Sequence, residues 1–503
     1  MRWTNLGDLV DRSAGLDSPA IIDLSGEAPR TWTHAEIDAL ANGIANHLTA
    51  RGLARGDAVA ILSLNRAEYM AAYFGIMRAG FVAVPVNTKL PQDTIDFVLK
   101  DAGIAFCFVD TMGRAMLPAT MPFLDFDDAG AGGFRATIEP AVDFATQAMD
   151  LSETAQILYT SGSTGRPKGV LLSHGSQLWP LSTRTSGAQT PNERYMIAQP
   201  LFHMNGLFSA KTIFANNASM VMMPSFDARA YLEALADYQV TAVTAVPTMF
   251  ARLLKNEDLF DSRDYSRLTR IMLGSAPITE ALIAKIQARF PGATMSLGYG
   301  TTEAGPAVFG PHPDGLKTPP TSVGYPIGLD QVKLIDGPSD DEGVLMMRNP
   351  SLMTGYGNLP EKTAEVLRDG WYYSGDVMRR DADGFYYFVG RADDMFVCSG
   401  ENIYPSEVET MLEKHPAIQY AAVVPLPDEE RGQVPVAFVV PRPGQSPTAR
   451  DIKGYALTAG PAYQHPRRIK FLPELPWAGT NKVDRRALMA DAKALELQGG
   501  WEG

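Results

Sequence analysis

Residues 160–169 read TSGSTGRPKG, a turn dense in hydroxyls and glycine that carries one lysine, Lys168. Thr160, Ser161, Ser163 and Thr164 supply hydroxyls, while Gly162 and Gly165 let successive backbone N–H groups crowd around an anion. This is the composition of a phosphate cradle. A Walker loop would need glycine directly before the lysine and Ser or Thr directly after it, where this chain has Pro167 and Gly169. A dinucleotide fingerprint fails as well, because Gly162 and Gly165 have the wrong spacing and no helix follows. Residues 156–159 (QILY) and 169–172 (GVLL) read as buried strands, so the cradle is predicted between two strands and not in front of a helix.

The elements that must hold such a loop alternate along the chain. Residues 58–65 (AVAILSLN), 81–87 (FVAVPVN) and 104–110 (IAFCFVD) are apolar runs of strand length, and the stretches between them, 66–80 and 91–103, have helical spacing. Alternation of this kind predicts a helix-flanked parallel sheet. Thr33 and Glu36 form a capping box that opens a helix running through Leu48. The strand, turn, helix pattern returns at 240–246 with 247–255 and at 271–273 with 279–290, while 129–133 (AGAGG) reads as a loop. Beyond Arg391 the character changes to strand, turn, helix and then two strands joined by a charged loop, an α+β unit of roughly a hundred residues. The expected division is therefore 1–391 and 392–503, with the tail from Glu496 expected to fray.

With 503 residues, the chain exceeds one ordinary core. A net charge of −13 and a pI near 5.1 argue against a nucleic-acid partner, so an anionic ligand has to be held by local lysines and arginines. The two cysteines, Cys107 and Cys398, form neither a disulfide framework nor a metal-site spacing, and a reducing, cytoplasmic setting is expected. Asp8 and Asp11 interrupt any apolar leader, and no apolar run approaches the roughly 18 residues of a membrane span.

The cradle closely resembles the nucleotide loop of the adenylate-forming superfamily, which comprises acyl-CoA synthetases, luciferases and peptide-synthetase adenylation domains. Further motifs match acid–CoA ligases in order over nearly the whole chain, those acting on 4-chlorobenzoate and 4-coumarate among them. The resemblance implies a large N-terminal domain of helix-flanked mixed sheets with a mobile α+β C-terminal domain. In residues 298–303 (GYGTTE) it implies that Tyr299 stacks on adenine, that Gly300 and Thr301 line the nucleotide, that Thr302 reaches the α-phosphate and that Glu303 holds Mg²⁺. It sets adenine against Ser275, Ala276 and Pro277, the ribose on Asp376, and ribose and phosphate on Arg391. Lys482, in the run 480–486 (TNKVDRR), would bridge the attacking carboxylate and the α-phosphate. Asp393 falls at the hinge, Ser399 and Gly400 at the turn passed by the pantetheine arm, and His203 at the gate of the acyl pocket.

The implied reaction joins a carboxylic acid to coenzyme A through an acyl-AMP intermediate, with ATP as co-substrate and Mg²⁺ as cofactor. By alignment the acyl pocket includes His203, Met204, Thr244, Ser275, Gly298, Gly300 and Pro306, none of them acidic or a fixed cation. An uncharged tail follows, because burying a second carboxylate unpaired is costly. Benzoate-like and hydroxycinnamate-like acids lead, with medium-chain fatty acids next. A homodimer is a candidate assembly. Two departures stand out: Asn481 where glycine usually precedes the lysine, and Gln464 where a lysine usually follows Tyr463. The second leaves Arg431, Arg467 and Arg468 as the candidate cations for coenzyme A phosphates. The alternatives are loading of a carrier protein, luciferase-type oxygen chemistry, and a non-catalytic scaffold. The last is opposed by the retention of Lys168, Glu303, Asp376, Arg391 and Lys482.

Overall fold

The computed structural model describes residues 3–160, 166–184, 190–276, 278–399, 401–477 and 483–502. Ser161, Gly162, Ser163, Thr164, Gly165, Pro277, Gly400 and Lys482 lie outside the described residues.

The alternating pattern builds two seven-stranded sheets. One runs in the order Thr294–Gly298, Arg270–Gly274, Ala242–Ala245, Arg194–Ile197, Ser219–Met222 and Pro19–Asp23, all parallel, and ends on the antiparallel edge strand Arg30–Thr33. The other has Thr154–Thr160, Val82–Pro85, Ala58–Leu62, Ile104–Val109 and Phe123–Asp125 in parallel, extended antiparallel by Lys168–Ser173 and Gly355–Tyr356. The sheets are thus mixed, and the phosphate cradle does fall between two strands. The run 58–65 yields a strand only to Leu62. Asn65 turns away to donate its amide to Gln199 O at 2.9 Å and Met223 O at 3.1 Å, tying one sheet to the other. The capping box forms, with Glu36 N donating to Thr33 Oγ1 at 3.1 Å and Thr33 N to Glu36 Oε2 at 2.8 Å.

A third sheet is wholly antiparallel and comprises Val332–Ser339, Glu342–Met347, Trp371–Arg380, Leu367–Arg368 and Tyr386–Arg391. The small lobe has its own sheet, in which Ile418–Asp428 and Gly432–Pro441 pair antiparallel and Arg468–Phe471 adds in parallel. Helices Pro405–Glu413, Ala449–Ala459 and Arg485–Gln498 accompany it. Its buried cluster runs from Phe396 to Ala492 and is separate from the three clusters within residues 3–386.

The tail from Glu496, expected to fray, is instead tied down through Glu502. Glu502 N donates to Ile469 O at 2.9 Å, Lys470 pairs with Glu502 at 3.0 Å, and the Trp501 indole donates to Glu496 at 2.7 Å. Tertiary partners on strand Arg468–Phe471 supply what composition could not reveal. Both cysteines are buried and unpaired. Among the described residues no helix is long and apolar enough to cross a membrane.

Candidate active site

The hairpin of Thr154–Thr160 and Lys168–Ser173 pairs Thr160 with Lys168, which flank the cradle sequence. Lys168 Nζ lies 4.1 Å from the centre of the Tyr356 ring. The Tyr356 hydroxyl donates to Glu303 Oε1 at 3.0 Å, and Met353 N donates to the Glu303 carbonyl at 2.7 Å. Glu303 is therefore gripped at side chain and backbone by a strap that also includes Asn349, whose amide donates to Ala304 O at 3.1 Å. The preceding turn is closed by Ala304 N donating to Thr301 Oγ1 at 3.0 Å. Glycine is required at position 300, because a Cβ there would lie 2.6 Å from both Gly305 O and Pro306 Cα.

Tyr299 donates its hydroxyl to Asp376 Oδ2. Asp376 stands opposite Arg391 on the neighbouring strand, and Arg391 Nη1 donates to Asp376 Oδ1 and Ser374 O, both at 2.9 Å. The other side of the guanidinium holds Asp393, with Nε at 2.9 Å and Nη2 at 3.3 Å from its oxygens. Partial burial depresses Lys168 below the usual lysine range, with the Glu303 charge opposing it. Burial raises the phenols of Tyr299, Tyr356 and Tyr372, and Asp376 or Glu303 adds to each shift. These phenols stay protonated, and Tyr299 and Tyr356 serve as donors to Asp376 and Glu303.

Of the residues expected on the acyl side, His203, Thr244, Ser275 and Gly298 lie at or just past the carboxyl ends of the first sheet, where ligands bind in open α/β folds. His203 caps helix Met204–Ala215 and sets its ring edge-on to Phe202 at 4.6 Å between centres. Ser275 has a left-handed backbone, φ +66°, at the turn after Arg270–Gly274, and Asn205 Nδ2 donates to its hydroxyl at 3.3 Å. Ala276 follows in the same turn, half-buried, and Thr302 is half-buried beside Glu303.

Ser399 is placed elsewhere, at the tip of the small-lobe hairpin of Phe396–Cys398 and Glu401–Ile403, where its N–H donates to Arg431 O at 3.0 Å. Arg431 is thus the candidate cation nearest that turn, whereas Arg468 faces Glu496 at 3.5 Å. Cys398 is fully buried in the small-lobe core, which fits a packing role. Among the described residues no cluster of three or more His, Cys, Asp or Glu side chains could hold a metal alone. Glu303, with one oxygen engaged by Tyr356, fits a hard cation that takes its remaining ligands from phosphate oxygens and water.

Sequence reasoning passed over Tyr356, Met353 and Asn349. An aromatic between two glycines, Gly355-Tyr356-Gly357, was the available signal for the first.

Parallel strands ending at a phosphate cradle, faced by a carboxylate–arginine pair and followed by a separately cored lobe, define a two-lobed nucleotide-using enzyme. Residues 11–357 match the family model described as AMP-binding enzyme, and 407–482 match that of the AMP-binding enzyme C-terminal domain. A feruloyl-CoA synthase of an Amycolatopsis species is 34% identical over 492 residues, covering 96% of this chain and 98% of that protein. A fatty acid–[acyl-carrier-protein] ligase of Streptomyces coeruleorubidus is 33% identical over 481 residues, covering 91% of each. The solved structure of an anthranilate CoA ligase in complex with anthranoyl-AMP superposes with a TM-score of 0.87 at 27% identity, covering 97% of each chain. The chain belongs to the AMP-binding enzyme family, and it is an AMP-forming acid–thiol ligase.

Proposed function

We propose that the protein activates an aromatic carboxylic acid with ATP and transfers the acyl group to coenzyme A. In the first step a carboxylate oxygen bonds to the α-phosphorus, the α–β phosphoanhydride bond breaks, and pyrophosphate leaves with the electron pair. In the second the coenzyme A thiolate bonds to the acyl carbon and AMP departs. The supporting observation is the convergence of Lys168, Tyr356 and Glu303 with Tyr299, Asp376 and Arg391 into one half-buried cluster.

Lys168 and the cradle bind the outer phosphates, Asp376 accepts from the ribose hydroxyls, and Thr302 meets the α-phosphate. Tyr299, Gly300, Thr301, Ser275, Ala276 and Pro277 enclose the nucleoside. Glu303 would hold Mg²⁺, which when bound neutralises phosphate charge. Lys482 stabilises charge on the transferring phosphorus, and His203, Met204, Thr244, Gly298 and Pro306 shape the acyl pocket. The division at 391/392 is supported by the self-contained cluster beyond Phe396, with Asp393 as hinge and Ser399 and Gly400 along the pantetheine path. Unpaired buried thiols fit a cytoplasmic setting. Light scattering in solution tests the homodimer.

Lys482→Ala tests the assignment. Acyl-AMP formation should fall on the order of 10²- to 10³-fold, while transfer from supplied acyl-AMP to coenzyme A is nearly unchanged. Equal loss in both half-reactions refutes domain alternation. The carrier-ligase relative favours a second thiol acceptor, a phosphopantetheine arm on a partner protein. Thioester yield with coenzyme A against a holo carrier separates the two.

A further inference from the structure

Strand Ile418–Asp428 is an outer strand of the small-lobe sheet, so alternate residues turn their N–H and C=O groups away from the one strand beside it. At Val423 side chains take both groups. The N–H donates to Glu409 Oε1 at 2.7 Å, and the carbonyl accepts from Arg485 Nη1 at 2.7 Å. Arg485 also donates to both oxygens of Glu409, from Nη1 at 2.6 Å and from Nη2 at 2.8 Å. The Arg485 and Glu409 side chains are 26% and 15% exposed, and Arg485 Nε lies 3.9 Å from Asp394 Oδ2, beside the proposed hinge. A planar fork held by two parallel bonds to a carboxylate and one to a carbonyl fixes the backbone that carries it, which a lysine ammonium on a flexible stem does not.

Arg485 opens helix Arg485–Gln498 and stands in the same run as Lys482, with Val483 and Asp484 between them. Asp484 caps the helix, its Oδ1 accepting from Arg486 N and Ala487 N, both at 3.1 Å. Its own N–H donates to Pro476 O at 2.8 Å, and Trp477 bridges to Val483. The segment that carries Lys482 is therefore closed at its base, and that base hangs on the first turn of the helix. The buried residues of the helix, Leu488 and Ala492, lie farther along it, so they hold it on the lobe without fixing the first turn. Helix Pro405–Glu413 differs, because Val408, Met411 and Leu412 bury it on either side of Glu409 and keep it in place without the arginine.

We propose that Arg485 is a positioning residue for the adenylation step: held by Glu409 and Val423, it sets the first turn of its helix and, through Val483 and Asp484, the place from which Lys482 reaches the α-phosphate. The proposal rests on the reading of Lys482 given above, and it predicts an asymmetric defect. Loss of the fork loosens the lysine segment, while the hairpin that carries Ser399 keeps its support from helix Pro405–Glu413. Acyl-AMP formation therefore suffers and thioester formation does not.

Acyl-AMP formation from ATP and 4-hydroxycinnamate, and thioester formation from supplied 4-hydroxycinnamoyl-AMP and coenzyme A, are measured in the same preparation of wild type, Arg485→Ala, Arg485→Lys, Lys482→Ala and the double variant Lys482→Ala/Arg485→Ala. Arg485→Ala should lower kcat for acyl-AMP formation about ten- to a hundredfold, with thioester formation and the KM for ATP within about twofold of wild type. Arg485→Lys, which keeps the charge but not the fork, should show the same asymmetry in smaller measure. The ratio of the two half-reactions within one preparation does not depend on the folded fraction. Adding Arg485→Ala to Lys482→Ala should change acyl-AMP formation by less than about twofold, because a residue that acts through the lysine has nothing left to act through. A further fall in the double variant, or a parallel fall of both half-reactions in Arg485→Ala, overturns the proposal and leaves the lysine reading standing. Undiminished acyl-AMP formation in Lys482→Ala alone overturns both.

Discussion

Tyr356→Phe removes one hydroxyl and leaves the ring beneath Lys168 in place. The hydroxyl donates to Glu303 Oε1 at 3.0 Å, and Tyr356 is 5% exposed, so water does not readily replace it. A hydrogen bond to a charged group contributes about 1.5–3 kcal/mol. With each 1.36 kcal/mol worth tenfold in rate, adenylation should lose roughly 10- to 100-fold in kcat/KM. Glu303 keeps its backbone anchor at Met353, so the loss should come from a loosened carboxylate and not from a displaced loop. Pyrophosphate release is followed against Mg²⁺ concentration at saturating ATP and acid, with transfer from supplied acyl-AMP to coenzyme A as the control. The Mg²⁺ requirement should rise while the control stays within about twofold, on the scale set by a 0.4 kcal/mol change. A kcat/KM within about twofold of wild type, or a parallel fall in the control, refutes the assignment of Tyr356 as the residue that positions Glu303.

Two further outcomes follow from the packing. Lys211 is fully buried, its Nζ donating to Gln177 Oε1 at 2.8 Å, and burial lowers it to about 7. A base depressed in the folded state carries its full cost below that value and loses it as pH rises toward the unfolded value of about 10.4. Lys211→Met should therefore raise Tm most below pH 7, the gain vanishing near pH 10, and a pH-independent difference in thermal melts contradicts the argument. Trp477 pairs with Val483 across the segment that carries Lys482, and it lines a crevice between the lobes with Phe226, Met249 and Tyr420. Trp477→Ala should slow acyl-AMP formation several-fold more than thioester formation from acyl-AMP; equal slowing in the two assays refutes a docking role.

What was legible in the sequence was local. The capping box of Thr33 and Glu36 needs only four residues, and the cradle between two strands needs only the apolar runs that flank it. Asp376 and Arg391, fifteen residues apart, meet because two antiparallel strands with a short turn bring such positions opposite one another. The residues overlooked act across longer separations. Tyr356 matters through Glu303, 53 positions earlier, and Asn349 through Ala304, 45 positions earlier. No periodicity or turn chemistry links such pairs, because their proximity is set by how whole sheets pack. The tail failed for the same reason: its glycines and charges suit a frayed end, yet Trp501 covers Phe438 and Glu502 finds the edge strand.

Arg391 couples the nucleotide cluster to the lobe boundary, and its donors divide the two tasks unequally. Nη1 serves Asp376, whose side chain is 9% exposed and which also accepts from Tyr299, so that pairing belongs to a buried network. Nε and Nη2 serve Asp393, 62% exposed, where solvent and salt screen the charges and an ion pair contributes about 0–1 kcal/mol. Of the two ion pairs of Arg391, a rotation of the small lobe at Asp393, as proposed, would break the weaker one. The guanidinium is a rigid fork with donors to spare, so releasing Asp393 need not disturb its hold on Asp376. A lysine here would have one nitrogen to divide between both carboxylates and would couple the turn to nucleotide contact. The arginine would thus let Asp376 stay held if the lobe behind it changes position as proposed.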